Sequence, residues 1–171
     1  MKTRALEERE APVIGGVRSA EEEDSRRPDN HMETSTRHVS VLIPYRKRSD
    51  GQLEVFLQQR DGNAPSFPNY IGFFGGGIEE GETPEAALGR EIQEELCIEV
   101  LDAIFVKSFE VPGSVRNVFT AAVEVGFEDR VKIREGEFGI FLSEQEVAVH
   151  TNIIPPDQKV LLEVLPGLRA R

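Results

Sequence analysis

The sequence predicts an α/β domain, on three observations. Runs with the apolar density or alternation of β-strands stand at His38–Ile43 and Leu53–Gln58 and again at Val100–Val111 and Val115–Val125. Between the two pairs lies a capped helical stretch, Pro84 to Leu96, with Leu88, Ile92 and Leu96 on one stripe. Near the end, Pro155-Pro156-Asp157 opens a further helix.

Composition narrows the function. The chain has 171 residues, enough for one domain with a sizeable core, and its 39% apolar content includes no run long enough to span a membrane. The opening MKTRALEERE lacks the apolar segment of a secretory signal. A lone cysteine, Cys97, excludes an internal disulfide and fits a reducing, cytoplasmic setting. A net charge of −11 argues against a nucleic-acid duplex as the main ligand, because phosphate backbones select basic surfaces. A small phosphorylated ligand stays compatible, because a bound cation inverts the local field.

Residues 1–36 form a polar, acid-rich leader containing Glu21-Glu22-Glu23-Asp24, with too little apolar surface to offset the entropy of ordering, so disorder is expected there. Met32 is a candidate natural start behind an added leader. Residues 37–171 carry the domain pattern. The first two strands are joined at Ser49-Asp50-Gly51, a turn signal. Asp61 to Tyr70, with Gly, Asn and two Pro, is a loop. The second strand pair turns at Pro112-Gly113. Ile140–Leu142 is a short strand, Ser143 starts a helix, and the last helix is expected to run to Leu165 and stop at Pro166-Gly167.

The central helix carries the chemistry. Thr83 is a good N-cap, and Pro84 is tolerated at the first helical position. Glu91, Glu94 and Glu95 fall at i, i+3 and i+4 beside the apolar stripe, where like charges repel by a few tenths of a kcal/mol per pair. Two readings compete: a solvated acidic face, or hard carboxylate oxygens presented together to Mg2+ or Mn2+. The segment FFGGGIEEGE, Phe73 to Glu82, leads into the helix, and its glycines admit close approach of backbone to a ligand. A glycine-rich loop, Glu82 and a capped helix bearing Arg90 and three glutamates favour the cation site.

Gly76 to Ile98 resembles the Nudix box, G-x5-E-x7-R-E-U-x-E-E-x-G-U with U aliphatic. Gly76, Glu82, Arg90, Glu91, Ile92, Glu94, Glu95 and Ile98 match in spacing, while Cys97 replaces the usual Gly at the helix end. The resemblance implies an α/β/α sandwich around a mixed β-sheet and a metal-dependent hydrolase. It would cleave a pyrophosphate linkage in a nucleoside diphosphate joined to another group. By resemblance, Glu94 and Glu95 are main metal ligands, and Glu91 is a ligand or the general base. Gly75 and Gly76 lend a carbonyl to the metal or room to phosphates, with Gly77 beside them. Glu82 and Arg90 form a bracing ion pair. The resemblance also implies a further acidic group from the later loop, Glu135 or Glu137, with Glu137 as a metal ligand. Homodimers are common in the family.

The other group on the substrate is less legible. Phe67, Tyr70, Phe73 and Phe74 are aromatics that either stack a base or fill the core; Tyr70 and Phe74 are the expected substrate contacts. Arg46, Lys47, Arg48 and Arg116 are phosphate or sugar contacts, or simply solvated. Two alternatives accompany the main reading: a nucleoside triphosphate pyrophosphatase releasing pyrophosphate, and a non-catalytic nucleotide sensor.

Overall fold

The apolar run at His38 grows into an eleven-residue strand, β1 (Arg37–Lys47), around which the sheet is built. The structure, a computed structural model, describes residues 36–99 and 102–170; the expected disorder of the leader lies outside them. The elements that follow are β2 (Leu53–Gln59), β3 (Ile71–Gly72), β4 (Phe74–Gly77), α1 (Pro84–Leu96), β5 (Ile104–Val111) and β6 (Ser114–Ala122). After these come α2 (Phe127–Arg130), β7 (Phe138–Ser143), α3 (Glu144–Val149) and α4 (Pro155–Arg169).

One edge of β1 runs parallel to β6 from Arg37 to Tyr45. The other edge is shared: Tyr45–Lys47 pairs antiparallel with β2, whereas Val39–Leu42 pairs antiparallel with Gly77–Phe74 of β4. β2 continues past the split to pair with β3 and, on its far side, β7. β5 closes the opposite side on β6. Alternation along β1 then feeds two cores. Val41, Ile43 and Tyr45 pack with Val160, Leu161, Val164, Leu165 and Leu168 of α4. Leu42 packs with Phe56, Phe74 and Phe119 against Leu88, Ile92 and Leu96 of α1. The mixed sheet lies between helices, an α/β/α sandwich.

α1 has the expected limits. The Thr83 side chain accepts from the Ala86 N–H, and Cys97 ends the helix in the left-handed region at φ 56°, ψ 35°, its N–H donating to the Gln93 carbonyl. Four expectations need correction. The strand after α1 begins at Ile104, leaving out Asp102 and Ala103, while the expected start at Val100 lies outside the described residues. Its partner ends at Ala122, where Gly126 at φ 82° starts the short α2 instead of a strand through Val125. Gly75–Gly77, read as loop, is strand paired to β1. Finally, α4 continues through Pro166 to Arg169. An internal proline costs about 3 kcal/mol. Full burial of Leu165 and Leu168 contributes about 1.5–3 kcal/mol each, so the longer helix wins.

Candidate active site

Gly75 sits at φ 121°, and a Cβ there would stand 2.2 Å from the Ser40 carbonyl oxygen, so only glycine lets β4 pair with β1. A Cβ on Gly76 would come within 2.5 Å of the Glu91 carboxylate. The glycines are thus demanded by how closely β1 and the acidic face of α1 approach β4. The Ser40 hydroxyl donates to the Pro84 carbonyl at 2.7 Å and fixes the start of α1 on β1.

Four carboxylates line one cleft of about 360 Å³: Glu91, Glu95 and Glu135, with Asp157 taken up by Arg116. Glu95 is 5% exposed and accepts the Gly75 N–H at 2.8 Å. Burial pushes its carboxyl up to about 8; the Gly75 hydrogen bond opposes this, while the charges of Glu135 and Glu91 add to the rise. Glu135 comes from the loop before β7. The Arg134 and Lys132 N–H groups donate to the Glu95 and Leu96 carbonyls, binding that loop to the end of α1. Gln58 Nε2 donates to the Glu135 carbonyl at 3.1 Å.

Arg90 organises the remaining acids. Its Nε and Nη2 donate to the two Glu82 carboxylate oxygens at 3.1 and 3.0 Å, Nη2 also to the Gly77 carbonyl at 2.9 Å, and Nη1 to Glu91 at 2.8 Å. The bracing pair expected from sequence therefore forms, tying the turn before α1 to the helix. Its hydrogen bonds to Glu82 and then Glu91 hold the guanidinium firmly protonated, and Arg90 in return lowers Glu82.

Of the residues singled out from sequence, Gly75, Gly76, Gly77, Glu91 and Glu95 line the cleft, and Glu82 and Arg90 support it. Glu94 does not line it: its side chain is 57% exposed and lies 3.5 Å from Arg90 Nη1. Glu137 is exposed and its N–H pairs with the Gln59 carbonyl, so Glu135 is the cleft residue of that turn. The turn decides this, because Gly136 at φ 79° packs on Gln59. Phe74 is wholly buried against Phe56 and α1 and has no surface for a substrate. Tyr70 stands behind Phe67, ring edge to ring at 5.6 Å, and does not line the cleft.

Other cleft residues went unread. Arg37 and Arg60 bring positive charge into the same cleft, and the buried Asp157 pairs with Arg116. Burial lowers Arg116. The position of Arg60, directly after a strand and before a long loop, was the available signal. Asp157 looked only like a helix opener.

Among the described residues, no three acidic, His or Cys side chains converge closely enough to hold a metal as they stand. The donor chemistry nevertheless fits a hard divalent cation. Glu91, Glu95 and Glu135 offer oxygen ligands beside a glycine backbone that a Cβ would block.

Residues 36–164 match the model of the NUDIX domain. The chain belongs to the NUDIX domain family. A Nudix relative, 8-oxo-dGTP diphosphatase of Haemophilus influenzae, is 31% identical over 114 residues, which are 66% of this chain and 81% of that protein. Among solved Nudix structures, a mutT/nudix family protein from Listeria innocua aligns with TM-score 0.64 at 18% identity, covering 78% of this chain and 94% of that one. A MutT/nudix family protein from Enterococcus faecalis aligns with TM-score 0.53 at 20% identity over 63% of this chain, which spans only 43% of it. At these identities the structures speak for the Nudix fold alone. The family and the curated relative make the chain a Nudix-type pyrophosphohydrolase acting on phosphoanhydride bonds. Nudix proteins act on small nucleotides and use divalent cations, and no helix among the described residues is long and apolar enough to cross a membrane.

Proposed function

We propose that the protein is a Mg2+- or Mn2+-dependent hydrolase that cleaves the pyrophosphate linkage of a nucleoside diphosphate joined to another group. The carrying observation is the convergence of Glu91, Glu95 and Glu135 in one cleft, beside the glycine strand and together with Arg37 and Arg60. A pyrophosphate and three carboxylates repel unless a cation lies between them. Glu94 and Glu95, with the Gly75 carbonyl and Glu135, would hold that cation. When bound, it would activate water and neutralise charge developing on the phosphates. The residues of the chain supply the rest. Arg37 and Arg60 draw in the anionic substrate. Gly76 and Gly77 leave space for phosphate oxygens. Glu91, held by Arg90, is the general base that takes the proton of the attacking water, and Glu82 with Arg90 keeps it aimed.

A second reading has one specific support. The relative named as an 8-oxo-dGTP diphosphatase favours a nucleoside triphosphate substrate, cleaved to a monophosphate and pyrophosphate. A pure nucleotide sensor has no need of the full carboxylate set. The deciding experiment is a panel of nucleoside diphosphate derivatives and nucleoside triphosphates assayed with Mg2+ and with Mn2+, products identified by chromatography. Nucleoside monophosphate plus a phosphorylated second group supports the first reading, pyrophosphate release the second, and no turnover of any substrate with either ion defeats both. The reading includes a homodimer, tested by sedimentation velocity, and a cytoplasmic location consistent with the lone Cys97.

A further inference from the structure

We infer that Phe67 is the specificity-determining residue of the nucleoside end of the cleft, a platform on which a planar base stacks. The inference rests on the cleft being the nucleotide site proposed above, and it concerns the apolar part of the lining, where Val39, Phe73 and Ile154 join Phe67.

Phe67 is the cleft aromatic that is left open, 43% exposed, while Phe73 is buried in the core. Its backbone lies at φ 49°, a region bulky side chains rarely enter, so the surrounding loop imposes the position. The causes of that imposition are visible. The Arg60 N–H donates to the Tyr70 carbonyl at 2.9 Å and closes the neck of the loop, and Arg60 Nε donates to the Ser66 carbonyl at 3.1 Å. The Tyr70 N–H donates to the Phe67 carbonyl at 3.3 Å, and the Tyr70 ring supports the Phe67 ring edge-on at 5.6 Å. A hydrophobic ring held in a strained conformation over a cleft, with its neighbour bracing it from behind, has an unused face. Flat aromatic bases gain substantially from stacking on such a face, and every base offers one. The platform therefore selects for the presence of a base more than for its identity. Arg60 joins the two ends of the site, since it carries the loop of Phe67 and lines the cleft with the carboxylates.

The chain has no tryptophan, so Phe67→Trp creates a sole indole reporter at this point. The full-length variant, with Mg2+ present, is titrated with GMP and AMP, and separately with ribose 5-phosphate, which keeps the sugar and phosphate but lacks the base. Val125→Trp, an exposed position outside the cleft, corrects for absorption by the nucleotides. Saturable quenching of the Phe67→Trp emission by GMP and AMP, absent with ribose 5-phosphate and at Val125→Trp, is expected. No quenching by either nucleotide, or equal quenching by ribose 5-phosphate, overturns the inference. The assay needs no turnover, so it can succeed or fail independently of the hydrolase reading, which the parent protein's product panel decides. In kinetics, Phe67→Leu is expected to raise KM for the preferred nucleotide by about 10-fold with kcat within about threefold, and Phe67→Tyr to restore it. An unchanged KM in a folded Phe67→Leu protein also overturns it, and covers the case in which Phe67→Trp does not fold.

Discussion

At the scale of single residues, the acidic face of α1 divides into three environments, although the sequence presents three glutamates alike. Glu95 is buried on the glycine strand, Glu91 is held by Arg90, and Glu94 is turned outward. The division ranks the variants. Glu94→Gln should abolish turnover while the melting temperature stays nearly unchanged, since the change removes a needed ligand charge and the relief of like-charge repulsion on the helix offsets the lost, exposed contact with Arg90. Glu91→Gln should lower kcat by roughly 10²- to 10⁴-fold without rescue by extra Mn2+, whereas Glu135→Gln should cost less and recover in part as Mn2+ is raised. Steady-state kinetics across a Mn2+ series reads all three; a larger, unrescued loss at Glu135 would transfer the base to the loop. Glu95 gives a pH prediction. Its carboxyl is at about 8 when folded, against 4.5 as the ordinary value, so between those limits the native state holds a proton that the unfolded chain has lost. Stability of chelator-treated protein should then fall as pH rises from about 4.5 to about 8, and Glu95→Gln should flatten that slope in urea melts.

At the scale of elements, the helix was legible and the strand before it was not. Thr83-Pro84 and the Leu88–Ile92–Leu96 stripe are local signals, and α1 begins and ends where they point. β4 has no such signal. Three consecutive glycines look like a turn, and only the register with Val39–Leu42 makes them strand. For the same reason Phe74 passed for a substrate contact, since its burial depends on α1 arriving from twenty residues downstream. The carboxylate spacing was readable on one helix, while Glu135, Arg60 and Asp157 enter through long-range packing that no local period encodes. Pro166 shows the converse, a strong local stop overridden by buried leucines. The end of α1 offers a direct test. Cys97 occupies left-handed backbone where a side chain is strained, so Cys97→Gly should stabilise the fold by up to about 1 kcal/mol, less the entropy that glycine adds to the unfolded chain. A destabilisation in denaturant melts would mean that the thiol's packing outweighs the strain.

At the scale of the whole molecule, sheet and last helix are tied together at the cleft, where Arg116 of β6 reaches Asp157 of α4. Asp157 also accepts the Phe73 N–H at 3.3 Å. Asp157→Ala would leave a largely covered guanidinium without its counter-charge, a loss of about 1–3 kcal/mol expected in urea unfolding, whereas substitution of an exposed acid such as Glu99 should change little. Removal of residues 1–30, whose composition is polar and acid-rich, should leave both turnover and melting temperature nearly unchanged; a large fall in either would show that this segment supports the domain. The shared edge of β1 has a consequence for how such a protein can change over time. The glycine strand and its acids hang from one half of that edge, while β2, with the loop that follows it, hangs from the other. Insertions or exchanges between Asp61 and Tyr70 can therefore remodel what the protein accepts without shifting the register that sets its chemistry. Apart from the link through Arg60, choice of substrate and the ability to cut it would then rest on different strands, and new preferences could arise on an unchanged catalytic frame.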